Sequence, residues 1–151
     1  MRSNLSFGSK RGSAAIEFGL LAIVLLLFLS TVVDWGWYMT QRVSVARATM
    51  DGTRVGAATF ESSLVADGSL TVPAAENRTK EVLDDLGMPC IPPSCAVDVT
   101  HCSVNEGGVC MNPPFEAIHV AVQYEYVPFF GFIPTPPVIT SEFIMATEAQ
   151  P

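Results

Sequence analysis

Sixteen consecutive residues, 18–33, carry no charge, and Glu17 is the only charged residue between positions 13 and 33. A helix rises ~1.5 Å per residue, so about 20 residues cross the roughly 30 Å hydrocarbon core of a bilayer. No later stretch of the chain is apolar for that length. The run therefore predicts one membrane-spanning helix, and it divides the chain into two sides. Arg2, Lys10 and Arg11 precede it, and no acid occurs in the first twelve residues. The positive-inside rule then predicts a cytoplasmic N-terminus and an extracytoplasmic remainder. The sequence DWGWY at 34–38 suits the exit point, because Trp and Tyr favour the headgroup zone.

A chain of 151 residues allows one modest domain and an additional element. Hydrophobic residues make up 49% and charged ones only 15%, below the share of a soluble surface. The net charge is −7; beyond residue 12, five basic residues face fifteen acidic ones, a balance of −10. That acidity predicts no nucleic-acid partner, which requires a basic face.

Glu17 needs its own explanation. An acid at the centre of a membrane helix costs about 2.5–3.5 kcal/mol on insertion scales, and less near an end. A secretory signal peptide is cut behind small residues after its apolar region, and DWGWY is a poor site for that. A plain anchor accounts for the length and flanks of the run but leaves Glu17 without a task. A third reading uses the spacing: KRG at 10–12, then SAAIE, so that a cut after Gly12 makes Ser13 the new N-terminus and Glu17 its fifth residue. This resembles the type IV pilin signal. The resemblance implies that a prepilin peptidase removes residues 1–12 at the Gly12–Ser13 bond. It also implies that Glu17 serves assembly, pairing with the ammonium group of a neighbouring subunit in a low dielectric.

The longer stretch RGSAAIEFGLLAIVLLLFLSTVVDWGWYMTQRVSVARATMDGTRVGAATF is similar to the opening of the TadE-like pseudopilins of the tight-adherence (Flp) pilus system. Arg-Gly, small residues, Glu-Phe, a Leu-rich run, an acid near its end and a helix rich in Ala and Arg carry the likeness. It covers about a third of the chain. The major pilins of that system commonly have Tyr after the glutamate, where this chain has Phe18, and they end soon after the helix. The resemblance thus implies a minor or pseudopilin component. Its implied partners are the peptidase, other pilin-like and pilus assembly proteins, and membrane lipid. The implied location is the bacterial inner membrane, with entry into the pilus left open.

Helical character continues past the run. Residues 39–58 lack Pro, and Ser44, Ala48, Gly52 and Gly56 fall four apart in one row. Such a row lets another backbone approach closely, either the protein's own domain or another subunit. Arg47, Asp51 and Arg54 form a charge ladder worth a few tenths of a kcal/mol per pair. A helix over 13–58 is ~70 Å long.

The remainder reads as a small α+β domain. Asp67-Gly68 marks a turn, and Pro73 opens a second helix with Val82, Leu83 and Leu86 on one face; Gly87 and Pro89 end it. Three strands follow, at 96–102, 118–126 and 138–146, with period-two alternation clearest in the second. They predict an antiparallel sheet with one buried face. The loop PFFGFIPTPP, 128–137, joins the last two. Its Phe129, Phe130 and Phe132, with Ile133, either fold back onto the sheet or form an apolar tip for a partner.

Cys90, Cys95, Cys102 and Cys110 all fall on the extracytoplasmic side, where thiols oxidise. Four cysteines allow three pairings; Cys90–Cys95 and Cys102–Cys110 each close a local loop. The spacing C-x4-C-x6-C-x7-C departs from usual zinc patterns, so no metal is expected. His101 sits beside Cys102, and His119, on the polar side of a strand, reads as a surface residue. Asn77-Arg78-Thr79 matches a glycosylation sequon, a three-letter pattern frequent by chance. No phosphate loop and no Ser-His-Asp arrangement is present, so neither an enzyme nor a cofactor is expected.

The sequence thus predicts three segments. Residues 1–12 form a cleaved leader, 13–58 a transmembrane and stalk helix, and 59–151 an extracytoplasmic α+β domain. The long helix packs on a small antiparallel sheet with one extra helix. The function expected is a structural component of a pilus machine. The alternatives are a permanently anchored binding or scaffold domain and, without a C-x2-C motif, an anchored thiol oxidoreductase.

Overall fold

The computed structural model of the protein describes residues 10–62, 70–102, 116–132 and 134–147, with side chains of the first helix described over 14–59. Residues 1–9 of the expected leader, the expected turn at Asp67-Gly68, Cys110 and Ile133 lie outside the described residues. The elements are α1 (Lys10–Ser62), α2 (Thr71–Asp85), β1 (Cys95–Cys102), β2 (Ala117–Glu125) and β3 (Val138–Ala146). The fold class is α+β, with a long apolar N-terminal helix, one further helix and a three-stranded antiparallel sheet.

Helix α1 runs 53 residues without interruption. Its two halves differ. Over 14–29 every side chain is exposed except Ala22, which is half-buried. This is the only helix among the described residues long and apolar enough to cross a membrane. From Ser30 onward one face turns inward, with Asp34, Tyr38, Val45, Ala48, Thr49 and Thr53 buried. Two of these are threonines in an apolar interface. Each donates its hydroxyl to the carbonyl four residues back, Thr49 to Val45 at 2.7 Å and Thr53 to Thr49 at 2.6 Å, so neither of these two hydroxyls is buried unsatisfied.

The sheet order is β1-β2-β3, and both pairings are antiparallel, with Val99, Val120 and Phe143 in one cross-strand row. Both helices lie on one face of it, α1 over β2 and β3, α2 over β1. Ile118, Val120 and Val122 of the central strand supply the middle of the core, joined by Ala75 and Leu83 of α2 and Ile139 of β3. The direction of packing is fixed at both ends. Gly56 of α1 meets Ile118, while Asp34 meets Tyr126, so the strand β2 runs antiparallel to α1 and alongside it.

The row of small residues packs within the protein. A Cβ on Gly52 would meet the Thr79 hydroxyl and, at 3.0 Å, the Ala75 carbonyl oxygen of α2; one on Gly56 would meet Ala75 Cβ at 3.0 Å and Ile118 Cγ2 at 3.2 Å. The row faces chiefly α2, with the sheet beneath it. The charge ladder beside it reduces to one contact, Arg54–Asp51 at 4.0 Å between exposed groups, which contributes little.

Helix α2 begins two residues before Pro73, which stays in the first turn where its missing N–H has no intrahelical partner. Its C-terminus is a Schellman motif: Gly87 at φ +74 donates to Asp84, and Met88 donates to Leu83 at 2.9 Å. Leu83 and Met88 are both buried at that turn. Leu86, expected on the core face, is 41% exposed because it is the cap residue and no longer follows the helical face. The Cys90–Cys95 disulfide then ties the chain leaving α2 to the first residue of β1, across a Cα–Cα distance of 5.0 Å.

Candidate functional site

The fold brings residue 34 together with residues 126–131, more than ninety positions away. Asp34 is fully buried. Its carboxylate accepts three successive backbone N–H groups, Phe129 and Phe130 on Oδ1 at 3.0 Å each and Gly131 on Oδ2 at 3.1 Å. Consecutive amides aimed at one anion form a nest. Gly131, which gives the third amide, takes φ +69, a conformation that a side chain would disfavour, so the chain turns away directly after the nest. No Lys or Arg among the described residues forms an ion pair with Asp34; the amides hold its charge. Tyr126 closes the junction by donating its hydroxyl to the Asp34 carbonyl oxygen at 3.0 Å.

Aromatic rings surround this junction. Tyr38 and Tyr126 meet edge to face at 5.2 Å, Trp35 meets Tyr38 at 5.7 Å, and Trp37 meets Phe129 at 6.3 Å. Such geometries suit the aromatic quadrupole. Tyr38, expected with the tryptophans at the headgroup level, is instead buried in the core. Burial raises the Tyr126 phenol above the ordinary tyrosine range, and the nearby Asp34 charge and Tyr38 add to the rise.

The loop phenylalanines lie neither on the sheet nor at the far end of the domain. They fold toward α1 on its N-terminal side. Phe130 and Phe132 wall an apolar groove with Ile23, Leu26, Leu27 and Val33 of the helix. Phe130 and Phe132 are near-parallel, 6.4 Å apart and 12° between planes. They remain largely exposed, as does Phe129. The Asp34 nest sets this position, because it clamps the loop backbone at the level of the last helical turn of the apolar run. Sequence reasoning gave Asp34 no role beyond marking the exit. The available signal is a lone acid at the end of an uncharged run, in a chain that also holds a Pro- and Phe-rich loop with one glycine.

The remaining expected residues are spread along the molecule. Gly12 and Ser13 lie within α1, and Glu17 is on its exposed apolar stretch, engaged in an interaction. Cys90 and Cys95 are paired, and Cys102 is disulfide-bonded; Cys110, its expected partner, lies outside the described residues. His119 is buried at 3% exposure, against the expectation of a surface position. It sits on the central strand between Thr100 and Ile144, which screen it from both sides. Its Nε2 is 3.8 Å from Glu142. Among the described residues no cluster of His, Cys, Asp and Glu is arranged to hold a metal ion.

An exposed apolar helix running into a small α+β domain fits a single-pass membrane anchor. The N-terminal region narrows the class further: residues 12–54 match the family model described as TadE-like protein. That region, from Gly12 through the apolar run and into the packed half of α1, is TadE-like. No match is found among curated proteins or among solved structures.

Proposed function

We propose that the protein is a pilin-like structural and assembly component of a tight-adherence (Flp) pilus system. A prepilin peptidase cuts it between Gly12 and Ser13, and α1 then holds it in the bacterial inner membrane with the α+β domain on the extracytoplasmic side. The observation that carries this reading is the TadE-like match, which begins at Gly12 and includes Glu17 and the whole uncharged run. The exposure of nearly every side chain over 14–29 supports it, because a surface of that kind needs lipid or neighbouring helices around it. Glu17 stands within that surface. In the assembled state its carboxylate pairs with the new N-terminal ammonium of a neighbour, and the two charges neutralise each other where an unpaired one is costly.

Intact-mass measurement of the protein extracted from its native membrane tests the reading. A chain starting at Ser13 is expected, and Gly12→Leu retains residues 1–12 because a branched side chain crowds a peptidase site fitted to glycine. A mature protein still carrying its leader means a permanently anchored scaffold domain instead. Glu17→Leu tests the assembly role separately. Membrane insertion persists or improves, while co-purification with other pilus components falls. Unchanged recovery of those components removes the role from Glu17.

A further inference from the structure

Helix α1 is not the only apolar surface at the depth of the membrane. Sixteen residues, 126–141, carry no charge, and the loop within them turns its phenylalanines toward the uncharged run. The helical residues that share a groove with Phe130 and Phe132 extend from Ile23 to Val33. Measured from Asp34, they lie about 2 to 16 Å along the axis, toward the N-terminus. If Trp35 and Trp37, both about two-fifths exposed, mark the headgroup level, the two phenylalanines lie below it.

Irregular backbone at that depth is tolerated only where its polar groups are satisfied internally. For its N–H donors this loop meets much of that condition. Pro128, Pro134, Pro136 and Pro137 have no N–H to satisfy. The amides of Phe129, Phe130 and Gly131 are taken by the buried Asp34 carboxylate, and that of Tyr126 by the Pro137 carbonyl at 2.8 Å. The buried aspartate thus leaves the loop with exposed rings and few open donors, a surface suited to hydrocarbon.

We propose that the loop 128–132 is a second membrane contact, inserting Phe130 and Phe132 among the acyl chains of the outer leaflet beside α1. The occupant of the groove is lipid, because the groove is continuous with the lipid-facing stretch of the helix and lined by apolar side chains with Ser30 alone bearing a polar group. The domain is then held against the bilayer at two points, and its sheet stands upright with Ile144 at the far end. This inference rests on the membrane-anchor reading of α1.

The test places a benzophenone amino acid in the full-length chain, reconstituted in phosphatidylethanolamine–phosphatidylglycerol vesicles, at Leu25, Phe132 or Ile144. Photolysis is followed by mass measurement of the adducts. Phe132 is 67% exposed, so the larger ring is accommodated, and a second variant at Phe130 repeats the loop measurement independently. Lipid adducts at Leu25 and at both loop positions, with none at Ile144, are expected. Adducts at Leu25 alone overturn the loop contact and leave the anchor intact. A crosslink from the loop to a second copy of the chain overturns it as well, since the groove then holds protein. No lipid adduct at Leu25 removes the anchor reading on which the inference depends. Adducts at Ile144 contradict the upright orientation.

Discussion

At the scale of single residues, the molecule depends on one carboxylate at the end of the uncharged run. Asp34 accepts three backbone amides and buries itself completely in doing so. Removing an acceptor from donors that have no other partner costs about 1–3 kcal/mol. Asp34→Asn keeps one oxygen, enough for the amides of Phe129 and Phe130, but turns an NH2 group toward the amide of Gly131. Asp34→Ala loses all three. Thermal unfolding in detergent micelles should rank wild type above Asn and Asn above Ala, and Trp37 fluorescence should change in both because Trp37 touches Phe129. Equal stability of all three excludes a structural role for the nest. Tyr126 supplies a pH signature for the same junction. Its phenol is neutral in the fold and held above the ordinary value, first by burial and then by the Asp34 charge. The fold therefore binds this proton more tightly than the unfolded chain does. The contribution is complete below about pH 10 and declines as pH rises from there through the raised value. Absorbance titration of the three tyrosines should show a late phase that disappears in Tyr126→Phe; a single ordinary phase in wild type contradicts the raised value.

At the scale of elements, what the sequence displays and what it hides follow from how far apart the interacting residues are. The apolar run, the second helix with Gly87 at its end, and all three strands are local patterns, and the structure places each within a few residues of its expected bounds. Helix α1 extends to Ser62 because nothing from 59 to 62 breaks it. The Asp34 nest, the buried Tyr38 and the buried His119 are not local. Each depends on a partner brought in by topology: Tyr126 for Tyr38, the neighbouring strands for His119. The small-residue row was legible as a close-packing surface, but its partner α2 was not, since period alone does not say which backbone comes near. That contact yields a graded test. Gly52→Ala puts a methyl group against the Thr79 hydroxyl, itself bonded to the Ala75 carbonyl at 2.8 Å, and against that carbonyl oxygen. The hydroxyl can rotate away, but the backbone carbonyl has to shift, so the cost falls in the overpacking range of about 1–3 kcal/mol. Gly56→Ala meets only methyl groups, at 3.0 and 3.2 Å, and should cost less. Gly36→Ala, with nothing within 4 Å, should be neutral or slightly stabilising through helix propensity. Denaturant midpoints that fail to follow this order dissociate the row from α1–α2 packing.

At the scale of the whole molecule, the long helix that fits a membrane anchor is also part of the core. Tyr38, Val45 and Ala48 of α1 belong to the same buried cluster as Ile118, Val120 and Ile139 of the sheet. The helix therefore covers β2 and β3 as a layer of the domain, not as a tether leading to it. A three-stranded sheet with α2 over β1 alone leaves the inner face of β2 and β3 open to water. At about 25 cal/mol per Å² of apolar surface, uncovering several core side chains costs more than a domain of this size keeps in reserve. A soluble fragment beginning at residue 59 should then fail to fold, with poor dispersion of its amide resonances and no cooperative melting. A fragment beginning at Asp34 retains the nest, the Tyr38–Tyr126 pair and all of the packed half of α1 except its first turn at Ser30, and should fold. It should also associate through Phe129, Phe130 and Phe132, which it exposes without a bilayer. Replacing Phe130 and Phe132 with Ser in that fragment should restore a monomer without lowering its melting temperature, because both rings lie outside the core cluster. A folded, cooperative fragment from residue 59 contradicts the shared core. Loss of folding in the Asp34 fragment instead means that the domain needs the membrane half of the helix, or the bilayer itself, to hold its native packing.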